Sequence, residues 1–247
     1  MKVIFHKDFY RVYHSEPAAA GGRMEAVIKS LGNRFEILEA VIAEPEDIAR
    51  VHSGSHIADV HAQGLYDIAA LAAGGAIQAA ILGLAEPAFA LIRPPGHHAS
   101  ASDSWGFCYF NNMAVALCHL LANNQIKTAA VLDFDLHYGD GTANIFVGNS
   151  AVKTFDPSGS DRQVYLKQVE SFLSKLQVDM IGISAGFDNH EDDWGNLLKT
   201  HDYFDMGQMV KEAALKTGAG YFAILEGGYN HNVLGQNVLA LLEGMSK

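Results

Sequence analysis

Apolar residues in this chain fall into two spacings, and the two alternate. Short, largely unbroken apolar runs stand at residues 2–5 (KVIF), Ala88–Ile92, Ala129–Leu132, Ala151–Phe155, Met180–Ser184 and Tyr221–Leu225. Runs of that length without polar alternation suit strands buried on both faces, as in a parallel sheet. Between them, apolar residues recur every three or four positions: Met24, Val27, Ile28 and Leu31 share one face of a helix over Arg23–Leu31. The same reading opens a helix at Pro45, a residue favoured in the first turn, and carries it through Ile48 and Val51. Further helices are predicted over Ile57–Leu65, the Ala/Gly-rich Ile68–Leu82, Met113–Leu121, Gly141–Val147, Val164–Leu176, Tyr203–Thr217 and Val233–Leu242. Phe35–Ile42 reads as either an irregular stretch or a short strand. Strands alternating with helices predict an α/β fold, a mainly parallel sheet with helices on both faces. No repeat, low-complexity tract or Pro/Gly/Ser-rich linker interrupts the pattern, so residues 1–247 are read as a single domain.

At 247 residues, such a domain has a core large enough to need no covalent staples. Two cysteines, Cys108 and Cys118, are too few for a disulfide framework or a Cys-based zinc motif. The net charge of −11 comes with no Lys/Arg cluster, which argues against direct binding to nucleic acid. An acidic field instead favours cationic partners such as amines or lysine-rich segments. The opening MKVIFHKDF is too short and polar for a signal peptide, and no window reads as a membrane span. A cytoplasmic protein without a membrane partner is therefore expected.

The densest chemistry lies in residues 128–142, TAAVLDFDLHYGDGT. A buried parallel strand delivers functional groups at its carboxyl end, where open α/β sheets bind ligands. In extended chain, Asp133, Asp135 and His137 project to one side. Two carboxylates and an imidazole meeting there repel one another and lose solvation unless a cation joins them. A divalent metal site is the prediction, with Asp135 and His137 as ligands. The bland alternative is a polar loop with Asp140-Gly141 as its turn. Three other strands also end in polar motifs: Pro94-Pro95-Gly96-His97-His98, Ala185-Gly186-Phe187-Asp188 and Glu226-Gly227-Gly228-Tyr229. Taken singly, these are a turn with one capped imidazole, a turn aspartate and a loop with a surface tyrosine. In a parallel sheet they meet at one edge, adding a third ligand (Asp188), two candidate bases (His97, His98), two orienting carboxylates (Asp133, Asp140) and a phenol donor (Tyr229).

The blocks RPPGHHA, GFCYFNN, LDFDLHYGDGT, SAGFDNH and LEGGYN, spread in that order over residues 93–230, resemble the signatures of the zinc-dependent histone deacetylase family. That family includes the acetylpolyamine amidohydrolases and has the arginase–deacetylase fold. The resemblance implies hydrolysis of an N-acetyl amide, on a lysine side chain of a protein or on a small acetylated amine. It implies Asp135, His137 and Asp188 as ligands of Zn2+, with Fe2+ as the alternative. His97 and His98 match the tandem histidines, with Asp133 behind His97 and Asp140 behind His98. His98 is read as the base and His97 as the acid or electrostatic partner. Tyr229 matches the tyrosine that polarises the scissile carbonyl, aimed by the turn at Gly227 and Gly228. Gly106 and Phe107 match the floor and one wall of the acyl-lysine channel. A structural K+ is implied at Asp133, Asp135 and His137 with backbone oxygens near Thr154 and Phe155, although Asp156 stands where members often carry histidine. Two other readings compete. An arginase-type ureohydrolase needs a metal pair and a second aspartate pair, whereas SAGFDN holds one carboxylate. A non-catalytic acyl-ligand binding protein would have no need of acid–base groups.

The chain is short for that family. The stretch between Tyr66 and Ala72 looks compressed, and DPSGSDRQ stands where members carry a longer segment supplying the channel's second aromatic wall. No wall residue is identifiable there. A shallower, wider mouth is expected, or a rim completed by another subunit of a homo-oligomer.

Overall fold

Seven parallel strands build one sheet, and its order sets the site. The computed structural model describes residues 1–246. The strands are β1 (Lys2–Phe5), β2 (Glu36–Glu39), β3 (Ala88–Ala90), β4 (Ala129–Asp133), β5 (Val152–Phe155), β6 (Met180–Ala185) and β7 (Gly220–Leu225). They lie in the order β2-β1-β3-β7-β6-β4-β5, and every neighbouring pair is parallel. The strands that end in the polar motifs, β3, β7, β6 and β4, are therefore consecutive at the centre. Their registers align those ends: Ala90 pairs with Ile224, Ala185 with Leu225, and Asp133 with Ser184.

The helices are α1 (Arg23–Leu31), α2 (Pro45–Ala49), α3 (Gly54–Ala62), α4 (Tyr66–Gly83), α5 (Asn112–Ala122), α6 (Asp140–Phe146), α7 (Arg162–Leu173), α8 (Thr200–Thr217) and α9 (His231–Ser246). Strands β3, β4 and β6 are buried along their whole length, as unbroken apolar runs between two helical layers require. The edge strand β2, EILE, is largely exposed, which is why its pattern was hard to assign.

Several boundaries move for local reasons. Helix α3 starts at Gly54 because the Ser53 side chain caps it, accepting from the His56 amide. It stops before Gly64, whose φ of +71° leaves the helical region. Helix α8 begins at Thr200, where Asp202 reaches back to accept from the Lys199 amide. Two short 3-10 turns, Lys7–Tyr10 and Pro17–Ala19, carry no periodic signal and were not anticipated.

One expectation needs correcting. Helix α4, with 18 residues and a mean hydropathy of 1.3, is long and apolar enough to cross a membrane. Its composition has a different cause here: 67% of that window is buried, with α4 packed on α5, β1, β3 and β7. A helix buried on nearly all sides is apolar all round.

Helices α8 and α9 cross at two glycines. A Cβ on Gly207 would lie 2.6 Å from the Leu241 carbonyl oxygen, and one on Gly244 would lie 2.1 Å from that of Phe204. Gly207→Val is therefore expected to lower the unfolding free energy by about 2 kcal/mol or more, since overpacking against backbone has no cheap relief. Gly54→Ala, where a Cβ meets nothing within 4 Å, should stay within about 0.5 kcal/mol of wild type. Urea unfolding followed by circular dichroism compares the two; equal midpoints would refute the close crossing.

Candidate metal and catalytic site

Asp135, His137 and Asp188 come together just beyond the ends of β4 and β6, with one donor atom from each inside a 4.8 Å span. His137 Nδ1 lies 3.2 Å from Asp135 Oδ1 and 3.1 Å from Asp188 Oδ2. Backbone amides orient both carboxylates: Gly227 donates to Asp135 Oδ2 at 2.8 Å and Leu136 to Asp188 Oδ1 at 3.1 Å. Asp188 Oδ2 is buried and accepts no hydrogen bond, although the imidazole nitrogen is close. An anionic oxygen left this way is costly unless a positive charge faces it.

The electrostatics agree. Burial pushes the Asp188 carboxyl up to about 6, with the Asp135 charge adding to it. Burial would raise Asp135 too, but the charge of His97 and hydrogen bonds from His137 and Gly227 hold it below the usual carboxylate range. Its hydrogen bond to Asp135, and then the close carboxylate of Asp188, raise His137 to about 10. This cluster draws in positive charge. One imidazole nitrogen, two carboxylate oxygens and an oxygen lacking a donor fit a divalent metal with open positions. Among the described residues it is the one group of three such side chains that converges.

The tandem histidines stand beside it, their rings 4.0 Å apart. His97 Nδ1 meets Asp133 Oδ2 at 3.0 Å, and its Nε2 is 3.8 Å from Asp135 Oδ1. His98 Nδ1 meets Asp140 Oδ1 at 2.7 Å. Burial disfavours the charged form of both rings. For His97 the charges of Asp135 and Asp133 outweigh it, holding the imidazole well above its ordinary range. For His98 burial and the neighbouring His97 charge win over Asp140, lowering it to about 4. The two rings are thus shifted in opposite directions. Burial also raises Asp133 to about 7, against the pull of His97.

Glu226 is the residue that motif reading passed over. It is fully buried, with Oε2 accepting from the amides of Gly96 (2.7 Å) and His97 (3.3 Å) and Oε1 from Ser184 Oγ (3.3 Å). One carboxylate thereby ties the ends of β3, β6 and β7. An acidic residue directly abutting the apolar run YFAIL was the available signal. Arg23, also fully buried, donates to the carbonyls of Glu226 (2.6 Å) and Gly228 (2.8 Å), with its guanidinium carbon 5.5 Å from the Tyr229 ring centre. Gly228 has φ +111°, and a Cβ there would strike Leu234 and Phe187, so the turn that aims Tyr229 needs glycine. Burial, then the charges of Asp135 and Asp188, push the Tyr229 phenol well above its ordinary range, so it remains a hydrogen-bond donor.

Gly106 forms the floor: its φ is +60°, and a Cβ would lie 2.3 Å from His98 Cδ2. Phe107 stands edge-on to Tyr229 at 5.9 Å. Trp194, from the loop after β6, also lines the cavity. Its indole stacks on Tyr229 at 4.1 Å and turns its edge to His137 at 6.1 Å. Trp105 lies on His98 at 3.9 Å. The cavity they enclose is about 120 Å³, lined also by Pro95, Phe107 and His137. Two indoles, Trp105 and Trp194, border the cavity where a wider mouth was expected from the shortened loops. A cavity of about 610 Å³ beside Asp135 is bounded by Asp156, Ser158 and Ser160. Another of about 510 Å³ lies between β5 and α7. Neither gathers the acid–base groups, whereas the smallest of the three is lined by His97, His98, His137 and Tyr229. Histidines outside the motifs behave as structural groups: His52 accepts from the Asn111 amide and donates to the Ser100 carbonyl.

Comparison with known proteins matches this geometry. Residues 18–165 and 157–245 fit the histone deacetylase domain model, in two stretches that overlap where the loop after β5 is short. A probable deacetylase of Methanothermobacter thermautotrophicus is 30% identical, the alignment covering 98% of this chain and 90% of that protein. That alignment runs over 304 positions against 247 residues here, so the relative carries stretches this chain lacks. A histone deacetylase-like amidohydrolase of Pseudomonas aeruginosa is 28% identical over 94% of this chain and 77% of its own length. The crystal structure of the HDA15 HD domain superposes with a TM-score of 0.87 at 23% identity, covering 98% of this chain and 88% of the other, which establishes the shared fold. With the domain model spanning nearly the whole chain and the motifs meeting at one sheet edge, this protein belongs to the histone deacetylase family.

Proposed function

We propose that the chain is a metal-dependent deacetylase that hydrolyses the N-acyl amide of a primary amine, either a lysine side chain in a protein or a small acetylated amine. The observation that carries this reading is the convergence of Asp135, His137 and Asp188 beneath the His97–His98 pair and the Tyr229 phenol. Bound by those three side chains, Zn2+ (or Fe2+) supplies Lewis acidity to the amide carbonyl and lowers the pKa of the attacking water. Everything else falls to the chain.

His98, tied through Nδ1 to Asp140, presents Nε2 to the cavity and takes the proton of the water as base. His97, flanked by Asp133 and Asp135, holds a proton and delivers it to the departing amine nitrogen. Tyr229 donates its O–H to the carbonyl oxygen as that oxygen gains negative charge, usually the largest single contribution in such reactions. Gly106 and Phe107 guide the acyl chain, and Gly228 permits the turn that points the phenol inward. A cavity of about 120 Å³ suits a short acyl group such as acetyl. A structural K+ at Asp133, Asp135 and His137 belongs to the same proposal. Its support is that burial lifts the carboxyls of both Asp133 and the nearby Asp156, a sign that local positive charge is in short supply. Both indoles line the cavity from within the chain.

Tyr229→Phe and His98→Ala are each expected to lower turnover of an acetyl-lysine reporter by about 100-fold or more while metal content is retained. Near-normal turnover in both would sink the mechanism. Calorimetric titration with Zn2+ should show one ion per chain, and Asp188→Ala should weaken binding by more than about 100-fold. Removing metal with a chelator should abolish turnover, and restoring Zn2+, Fe2+ or Co2+ should return it. Two ions per chain would point instead to ureohydrolase chemistry.

A further inference from the structure

The chain contains two tryptophans, and both border the catalytic cavity. We infer that Trp105 and Trp194 are positioning residues, each fixing one reacting side chain: Trp105 the His98–Asp140 pair, and Trp194 the Tyr229 ring. The inference rests on the deacetylase reading and adds to it the groups that set its geometry.

Trp105 makes two separate contacts with one catalytic pair. Its ring lies on His98 at 3.9 Å with planes 30° apart, and its Nε1–H donates to Asp140 Oδ2 at 2.9 Å. The other oxygen of that carboxylate binds His98 Nδ1 at 2.7 Å. Indole, imidazole and carboxylate thus form a closed triangle in which each group touches the other two. Asp140 is about one-third exposed, so an unoccupied oxygen could turn to water and take the imidazole with it. The indole N–H occupies that oxygen. The backbone is shaped for this: Gly106 and Phe107 are successive left-handed residues, at φ +60° and +69°, and the Cys108 amide closes the turn on the Trp105 carbonyl at 3.1 Å. The reversal sets Trp105 against His98 and Phe107 against Tyr229.

Trp194 treats Tyr229 in the same way. It stacks on the phenol ring at 4.1 Å with planes 29° apart, while Phe107 meets the ring edge-on and Arg23 lies 5.5 Å from its centre. Asp193 joins the stacked residues through the backbone: Oδ1 accepts from the Trp194 amide at 2.9 Å, and Oδ2 from the Tyr229 amide at 2.8 Å. The Gly195 amide binds the Asp188 carbonyl at 2.8 Å, anchoring the same loop to a metal-ligand residue. Both indoles keep about half their surface in water, Trp105 at 54% and Trp194 at 51%. Burial of apolar area is thus a poor reason for either position; the specific contacts are the better one. Neither indole offers an acid or a base, and what they supply is fixed placement, on which such reactions depend steeply.

The test compares Trp105→Phe, Trp105→Ala, Trp194→Phe and Trp194→Ala as full chains loaded with zinc, with an acetyl-lysine reporter. The alanine variants should lose about 10- to 100-fold in kcat, the range seen when supporting groups are removed, with KM little changed. The phenylalanine variants should part company. Trp194→Phe keeps an aromatic face on Tyr229 and should recover most of the loss; Trp105→Phe keeps the ring but not the N–H and should stay low. A rise in KM with kcat intact in all four would mean that the indoles are only walls, and would overturn the inference. Fluorescence supplies a readout apart from turnover. Each single-tryptophan variant reports from one side of the mouth, and titration with N-ε-acetyl-lysine should quench it at the wild-type midpoint. If wild type cleaves no acylated amine, the deacetylase reading fails and this inference with it. If wild type is active and all four variants equal it, the inference alone fails. Should the alanine variants not fold, the phenylalanine pair still decides.

Discussion

Four carboxylates, Asp133, Asp135, Asp188 and Glu226, sit almost out of reach of water at one edge of a parallel sheet, none more than 5% exposed. Gathering that much negative charge in a low-dielectric place is the constraint on which the rest depends. Unpaired, each would cost far more than a folded domain can spare. The structure answers with every source of positive potential at hand. Backbone amides of Gly96, His97, Leu136 and Gly227 point at carboxylate oxygens, and His97 and His137 sit between them. One oxygen of Asp188 still accepts nothing, and a metal cation fits that demand. The site follows from burying acids together and then balancing them.

Two devices keep the balance geometrically tight. Glu226 binds three strand ends at once, so the loops bearing the histidines and the tyrosine cannot drift apart. Arg23 spends its charge on the carbonyls of Glu226 and Gly228, closing the turn behind Tyr229 from the first helix of the chain. A buried guanidinium on carbonyls rather than on an acid leaves the nearby carboxylates their negative character. The sheet order makes both arrangements available, because the four motif-bearing strands are consecutive.

Two indoles shape the rim of the cavity in this shorter chain. Relatives carry stretches that this protein lacks, and the family match divides across residues 157–165. Trp194 comes from the loop after β6 and Trp105 from the loop between β3 and α5, and each leans on a ring of the site. A larger cavity lies beside Asp135, skirted by Asp156 to Ser160.

Much of this was legible in the sequence. The strands that form the centre of the sheet are nearly uninterrupted apolar runs, and burial on both faces permits little else, so their identity and parallel arrangement were readable. The polar residues at their carboxyl ends, from His97 to Tyr229, were readable for the same reason, since parallel strands bring such ends to one side. Helix limits shifted by a few residues wherever a side chain such as Ser53 or Asp202 captured a backbone amide, a local bond that periodicity does not record. The long apolar helix Tyr66–Gly83 could not be judged from composition, because only packing distinguishes a core helix from a membrane span. Glu226 lay inside the LEGGYN block with no role readable there, and Arg23 and the two tryptophans stood outside every block. Their roles exist only across distances of many residues, as in the 203-residue separation between Arg23 and Glu226. Local sequence determined which groups would stand at the sheet edge; which of them touch, and what covers them, was decided by contacts that form only when distant loops close on one another.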